Sequence, residues 1–306
     1  MANRAATVFV AGGTGFIGSR LTRYLLRSGF RLTVTGTRPQ DQRLLPDGYT
    51  YLQADTTRSG DWQNALARSD IVVNLAGKTI SSRWTRKEKK AISESRLLTT
   101  RRLVEGLDGK RASVLCSASA VGYYGAAGDR PLSETSPSGD GFLAELGRDW
   151  ESEALKAADK GLRVILGRFG VVLGPDGGAL SKMLPIYKWW LGGPLGNGRQ
   201  WFPWVHIDDL LSAILYTIQR ETIEGPVNMC SPNPVRNRDL AKALGSAMGR
   251  PSLLTTPSPI VRLVLGEFGS SLVTGQRVLP KVLMSSGFSF RYPDIHTALS
   301  DIIGKM

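Results

Sequence analysis

With 306 residues, 42% of them apolar and 35 of them glycine, the chain can bury a sizeable α/β core, as one large domain or as a domain with an appended lobe. Its formal net charge of +13 favours anionic partners such as a nucleotide, an acidic lipid surface or nucleic acid. No nucleic-acid motif accompanies the densest basic run, 83–90, which reads as the solvated start of a helix. The only cysteines, Cys116 and Cys230, exclude a disulfide framework, and no metal-ligand spacing is present, which suits a reducing compartment and no metal. The chain runs almost at once into a strand, so no signal peptide is expected. No apolar stretch approaches the ~18–20 residues that span a bilayer, so the expected location is the cytoplasm.

In chain order, a buried strand is expected at 6–11. A helix follows at 15–28, with Phe16, Ile17, Leu21 and Leu25 at helical spacing. Strands follow at 31–36, near 49–53 and at 71–75, then a long helix at roughly 86–106. A fifth strand at 112–117 holds Cys116 in an apolar run, as a small buried hydrophobe. A helix over 140–160 and a sixth strand at 162–166 complete the regular part. Strands alternating with helices imply right-handed crossovers and a doubly wound parallel sheet, the α/β Rossmann architecture. After Gly174 the pattern weakens. The expected organisation is a Rossmann domain over 1–174, its sheet completed by later segments up to about 230. A substrate-side lobe at 175–249 is interleaved with it, and a small helical C-terminal domain occupies 250–306.

The motif with the most chemistry is Gly12-Gly13-Thr14-Gly15-Phe16-Ile17-Gly18, between the first strand and the first helix. Gly12 permits the tight turn, Gly15 lets the backbone approach a pyrophosphate, and Gly18 lets the helix pack on the sheet. The amides of the first helical turn then face the phosphates. The second strand ends Thr35-Gly36-Thr37-Arg38, without the carboxylate that would accept ribose hydroxyls. Arg38 there can pair with a 2′-phosphate, so the expected cofactor is NADP(H). Asp55 is placed either to touch the adenine edge or to cap its own loop. At the fourth strand's end, Leu75, Ala76 and Gly77 are small enough for the backbone to pass close to the cofactor.

The GGTGFIG turn, the Asn74-Leu75-Ala76-Gly77 strand end and Ser117-Ala118-Ser119-Ala120 resemble the extended short-chain dehydrogenase/reductases of the nucleotide-sugar epimerase type. Further stretches narrow this to the atypical "epimerase family" branch with its own short C-terminal domain. They are Ser95-Arg96, Asp149-Trp150-Glu151, Gly192–Gly196, Gln200–His206 and Arg277–Pro280. The resemblance spans essentially the whole chain and implies NADP binding on a Rossmann fold. It also supports Arg96 as a residue that reaches the cofactor, where a surface salt bridge is the plainer alternative.

The chain departs from that wider superfamily at its chemical centre. The expected serine is present as Ser119, but Leu143 stands beside the cofactor where the tyrosine of a Tyr-x-x-x-Lys pair belongs, and Gly147 where the lysine belongs. Neither carries a proton. Tyr123 and Tyr124, just after Ser119, are the candidate substitutes. Arg168 reads as an organiser of the loop after the sixth strand. His206 reads as a structural bridge between lobes ahead of a helix capped by Asp208, and Lys182 and Trp204 as lining a substrate pocket between the lobes. Two functions follow: an NADP-dependent oxidoreductase or epimerase-like enzyme with a rearranged catalytic set, or a protein that binds NADP(H) without turnover. The expected partner is a small molecule and not nucleic acid. Helices 86–106 and 140–160 are the surfaces on which this superfamily commonly forms homodimers.

Overall fold

The computed structural model describes residues 5–41 and 45–306. The first half reads β1 (Thr7–Ala11), α1 (Phe16–Arg27), β2 (Arg31–Gly36), β3 (Tyr49–Gln53), α2 (Trp62–Leu66), β4 (Ile71–Asn74), α3 (Arg86–Gly106), β5 (Val114–Ala120), β6 (Pro131–Leu132) and α4 (Phe142–Leu155). Then come β7 (Arg163–Phe169), β8 (Val171–Leu173), α5 (Leu180–Lys188), β9 (Trp201–Phe202), β10 (Trp204–His206), α6 (Ile207–Gln219) and β11 (Gly225–Met229). The remainder is β12 (Val235–Arg236), α7 (Asn237–Met248), α8 (Ser258–Leu265), α9 (Glu267–Leu272), β13 (Arg277–Val278), α10 (Lys281–Ser285) and α11 (Ile295–Gly304).

Seven strands form one sheet in the order β11-β7-β5-β4-β1-β2-β3, every pairing parallel. Both of its faces are covered, which is why β1 and β4 are almost continuously apolar. Alternate residues serve opposite layers. Val8, Val10, Val34, Val73, Cys116 and Ile165 pack with α1 and α6. Phe9, Ala11, Val72, Leu115 and Val164 meet Trp62 of α2, Leu103 of α3 and Ala154 of α4. The fifth strand runs on to Ala120, past the expected end, because Ser119 and Ala120 continue the ladder opposite Arg168 and Phe169. The expected 140–160 helix is shorter, starting behind Gly141 at φ +91° and ending at Leu155 before a separate 3-10 turn.

A third apolar cluster joins Leu180 and Leu184 of α5, Leu240 and Leu244 of α7, and Leu299 and Ile302 of α11 around Trp204. Two contacts tie the later residues back to earlier elements. β13 pairs with β6, and the Asp209 carboxylate accepts the amides of Arg291 and Tyr292 at 2.8 and 2.9 Å. No described helix is long and apolar enough to cross a membrane.

Candidate cofactor and active site

The carboxyl ends of β1, β4 and β5 lie side by side, with Ala11 in register with Asn74 and Asn74 with Ser117. The glycine turn caps this edge. Gly12 sits at φ +76° with its absent Cβ 2.8 Å from the Ala76 backbone, and a Cβ on Gly18 would lie 2.6 Å from Gly13 Cα. These two are closed in by protein. Gly15 is different: its Cβ would touch only the Gly12 carbonyl, at 3.4 Å, and otherwise faces open space. Gly15 is also the N-cap of α1. It supplies no side-chain cap, and the first turn carries no acid, so the helix's N-terminal amides and positive dipole end are left available to an anion. Phe16 turns away from this space. Its ring is covered by Gly174, Gly177 and Gly178, and the Arg20 guanidinium lies over it at 4.8 Å.

At the end of β2, Thr14 packs on Gly36, where any side chain would collide with its hydroxyl at 2.5 Å. Thr37 and Arg38 follow, both exposed, and Tyr51 donates a hydrogen bond to the Arg38 carbonyl. Asp55 caps its own loop: Oδ1 accepts the Thr57 amide at 3.1 Å and the Thr57 hydroxyl at 2.7 Å.

The β4 side of the cleft is rigidly built. The Asn74 amide donates to Thr100 at 2.9 Å and Ser117 at 3.2 Å while its carbonyl accepts from the Ala76 amide, fixing Leu75, Ala76 and Gly77 as a wall. Arg96 backs that wall. A Cβ on Gly77 would lie 3.0 Å from the Arg96 guanidinium carbon, and Nη1 donates to the Lys78 and Ile92 carbonyls at 2.9 and 3.1 Å. The guanidinium also lies 5.2 Å over the ring of Trp150. Among the described residues no carboxylate pairs with it, and burial pulls its pKa down to about 10.

Beyond Ser119 the structure holds a buried polar network that sequence reasoning missed. Ser119 donates to Glu151 at 2.6 Å, and Arg168 grips the same carboxylate with two bonds, 2.8 and 2.7 Å. Arg168 also donates to the Tyr124 hydroxyl at 2.9 Å, which in turn donates to Asn228 at 2.7 Å. Burial opposes the charge on Arg168, yet Glu151 overrides it and holds the guanidinium pKa above its ordinary value. Two expectations change. Arg168 is the centre of this network rather than the organiser of the next loop. Tyr124 is 1% exposed, spent on Arg168 and Asn228, with burial pushing its pKa up to about 12, so it is a structural residue. Tyr123 stays half-buried, with the Arg168 guanidinium 3.6 Å from its ring centroid. Gly147 underlies it, because a Cβ there would meet the Tyr123 Cα and Cβ at 3.3 Å. Leu143, one turn earlier on α4, packs against Gly122. Leu143, Gly147 and Glu151 form one i, i+4, i+8 stripe. A lone acid on that stripe, with an arginine at a strand end, was the signal available.

The remaining candidates separate. Trp204 is fully buried and donates to the Asn233 carbonyl, so it fills the late apolar cluster and does not line a pocket. Lys182 is exposed on α5. His206, not Asp208, caps α6: Nδ1 accepts the Asp208 amide at 3.1 Å. Its Nε2 faces Asp301 of α11 at 3.2 Å and its ring stacks on Tyr292, the bridging role expected of it. Ligand atoms of His206, Asp208 and Asp301 lie within 4.8 Å of one another, but the Lys305 ammonium, 2.7 Å from Asp301 and 3.4 Å from Asp208, already supplies the positive charge there. Cys116 and Cys230 are buried thiols, with burial pushing the Cys116 pKa up to about 12.

A doubly wound sheet with an uncapped first helix behind a glycine turn defines a Rossmann-type nucleotide-binding protein of the short-chain dehydrogenase/reductase kind. The chain belongs to the NAD dependent epimerase/dehydratase family, whose profile matches residues 8–230, and a domain of unknown function, DUF1731, matches residues 256–302. It is 41% identical over 302 residues to the chloroplastic SDR39U1 homologue of Arabidopsis thaliana, covering 97% of this chain and 86% of that protein. The epimerase family protein YfhF of Bacillus subtilis is 37% identical, with 97% of each covered. The crystal structure of human SDR39U1 with NADPH superposes with a TM-score of 0.86 at 32% identity, covering 98% of this chain and 100% of that one. A UDP-galactose 4-epimerase structure, at 18% identity and a TM-score of 0.75, shares the fold.

Proposed function

We propose that this protein is an NADP(H)-dependent oxidoreductase acting on a small carbonyl or hydroxyl compound, with Ser119 and Tyr123 on the substrate side of the cofactor. The observation that carries it is the open position at Gly15 over the uncapped N-terminus of α1, on the same sheet edge as Ser119. The residues fit the cofactor. The amides of the 12–18 turn would take the pyrophosphate, and Arg38, without a neighbouring strand-end acid, would take a 2′-phosphate. Leu75, Ala76 and Gly77 would pass beside the dinucleotide, held by Asn74 and Arg96. NADPH, when bound, would supply a hydride. The rest of the chemistry falls to this chain. Ser119, its proton held by Glu151, would accept a hydrogen bond from a substrate hydroxyl, and donation to a carbonyl oxygen would fall to Tyr123. Tyr123 is the proton-bearing group between Ser119 and α4, with the Arg168 charge against its ring. Human SDR39U1, crystallised with NADPH, supports the choice of cofactor.

A second reading, an NADP(H)-binding protein without turnover, is favoured by Leu143 and Gly147 in the places of the usual proton-transferring pair. The two separate in one experiment. NADPH and NADH are titrated against the native protein, and NADPH absorbance is then followed over a panel of carbonyl compounds and nucleotide sugars. The same assay is run with Ser119→Ala and Tyr123→Phe. Slow turnover that falls in both variants supports the enzyme; tight NADPH binding with no turnover of any compound supports the second reading. Equal affinity for NADH and NADPH would sink the assignment of Arg38.

A further inference from the structure

Among the described residues, twelve large apolar side chains are strongly exposed, and nine of them lie in two short segments, 186–191 and 253–264. These segments are neighbours. The Leu254 amide bonds the Gly192 carbonyl at 3.2 Å, and Thr256 and the 194–196 segment exchange two more backbone bonds at 3.0 and 2.8 Å. Trp189 is 77% exposed, Leu253 83% and Leu263 76%, with Trp190, Leu191 and Val264 beside them in sequence and each more than half exposed. α8 is amphipathic in the inverted sense, since Val261 alone is buried while Leu263 and Val264 face water. Trp190 is also held at φ +62°, a conformation that is a steric outlier for a bulky residue. That conformation closes α5, with the Trp190 amide bonding the Tyr187 carbonyl and the Leu191 amide the Ile186 carbonyl, each at 3.0 Å, and it leaves the ring outside with the Arg250 guanidinium 4.7 Å away.

The two segments that form this face carry charge of one sign. No Asp or Glu occurs from 177 to 207 or from 240 to 266, while Lys182, Lys188, Arg199, Lys242, Arg250 and Arg262 do. Lys182, Lys188, Lys242, Arg250 and Arg262 are exposed and make no ion pair among the described residues. A second copy of the chain, seated face to face, would bring cation against cation. Exposed tryptophans and leucines on two linked segments whose only charged side chains are lysine and arginine match a different partner, the boundary between phospholipid headgroups and acyl chains. We infer that this face docks the protein peripherally on an anionic lipid bilayer. Trp189, Trp190, Leu253 and Leu263 enter the interface, and Lys188, Arg250 and Arg262 meet the lipid phosphates. The inference is independent of the cofactor reading.

The test is flotation of the full chain with phosphatidylcholine vesicles, with and without phosphatidylglycerol. The native protein should float with the anionic vesicles at low salt, lose binding as salt rises, and ignore neutral ones. The pair Trp189→Ser and Leu263→Ser should lower partitioning roughly tenfold or more, and so should the pair Lys188→Glu and Arg262→Glu. Melting temperature and NADPH affinity serve as controls for folding in both. Absence of binding to anionic vesicles overturns the inference. So does binding that survives loss of the apolar side chains, which would leave only an electrostatic site for soluble anions. A native dimer, seen by light scattering without lipid and broken by the serine pair, would assign the face to a second copy instead.

Discussion

Gly15 and Arg38 are the two positions at which a single side chain should separate binding from folding. Gly15 has φ −75° and open space where its Cβ would be, so Gly15→Val should melt close to the native protein. The same valine fills the volume the pyrophosphate needs, and NADPH binding should vanish in a calorimetric titration. Retained tight binding would mean that the phosphates lie elsewhere. Arg38→Ala should cost ~1.5–3 kcal/mol of NADPH affinity, the range for a lost charged hydrogen bond, and leave NADH affinity nearly unchanged. Both expectations come from the sequence alone, because backbone turns and strand-end charges are local. The fate of a hydroxyl was not. Tyr123 and Tyr124 are adjacent and chemically identical, yet one is buried on Asn228 and Arg168 while the other keeps its half-exposed ring against Arg168. Only the placement of β7 and β11 distinguishes them, and no pattern within a few residues reports it.

α4 shows how an element can keep its position while its chemistry moves along it. Its place and apolar face were readable from periodicity, its end at Leu155 was not, and its stripe carries a carboxyl group two turns beyond the usual tyrosine position, at Glu151. Glu151 and Arg168 are 7% and 4% exposed as side chains, so each is tolerable only because of the other. Glu151→Ala should therefore destabilise by ~3–5 kcal/mol, since it strands a buried guanidinium, and also free the Ser119 hydroxyl. Replacing both together, Glu151→Leu with Arg168→Met, should recover much of the loss in chemical denaturation. A double variant no more stable than Glu151→Ala would show that the pair is not the source of the cost. With no Tyr-x-x-x-Lys pair on this helix, turnover of ordinary alcohols and nucleotide sugars should be slow. General acid–base assistance contributes ~10²–10⁴ in rate where it operates. Rapid turnover of a common nucleotide sugar would show that the missing pair is fully replaced and overturn this prediction.

Across the whole molecule, the seven-stranded sheet was largely readable from alternation and glycine punctuation, whereas the joins between early and late segments were not. They rest on contacts such as β13 with β6 and Asp209 with the amides of Arg291 and Tyr292, made by elements far apart in the chain; at His206 the bridge was expected, but its partners Asp301 and Tyr292 were not. His206 is one of those joins and has a pH signature. Burial lowers its folded pKa below the ordinary 6.5, against the pull of Asp208 and Asp301, so the unfolded chain binds more protons there. Stability should therefore rise with pH through the region just below 6.5 and fall on acidification, in thermal melts at fixed ionic strength. His206→Asn keeps an N-cap acceptor and removes the titrating ring, so its melting temperature should vary less over that range. An unchanged slope would place the proton uptake at another group. The same join has a bearing on biosynthesis. A chain emerging from the ribosome makes its glycine turn and first strands early, but His206 waits for α11, and β6 waits for β13, until far later residues have appeared. A half-made chain can thus present a nucleotide cradle before it has the walls around it, and the finished shape is reached only after translation has passed the last helix.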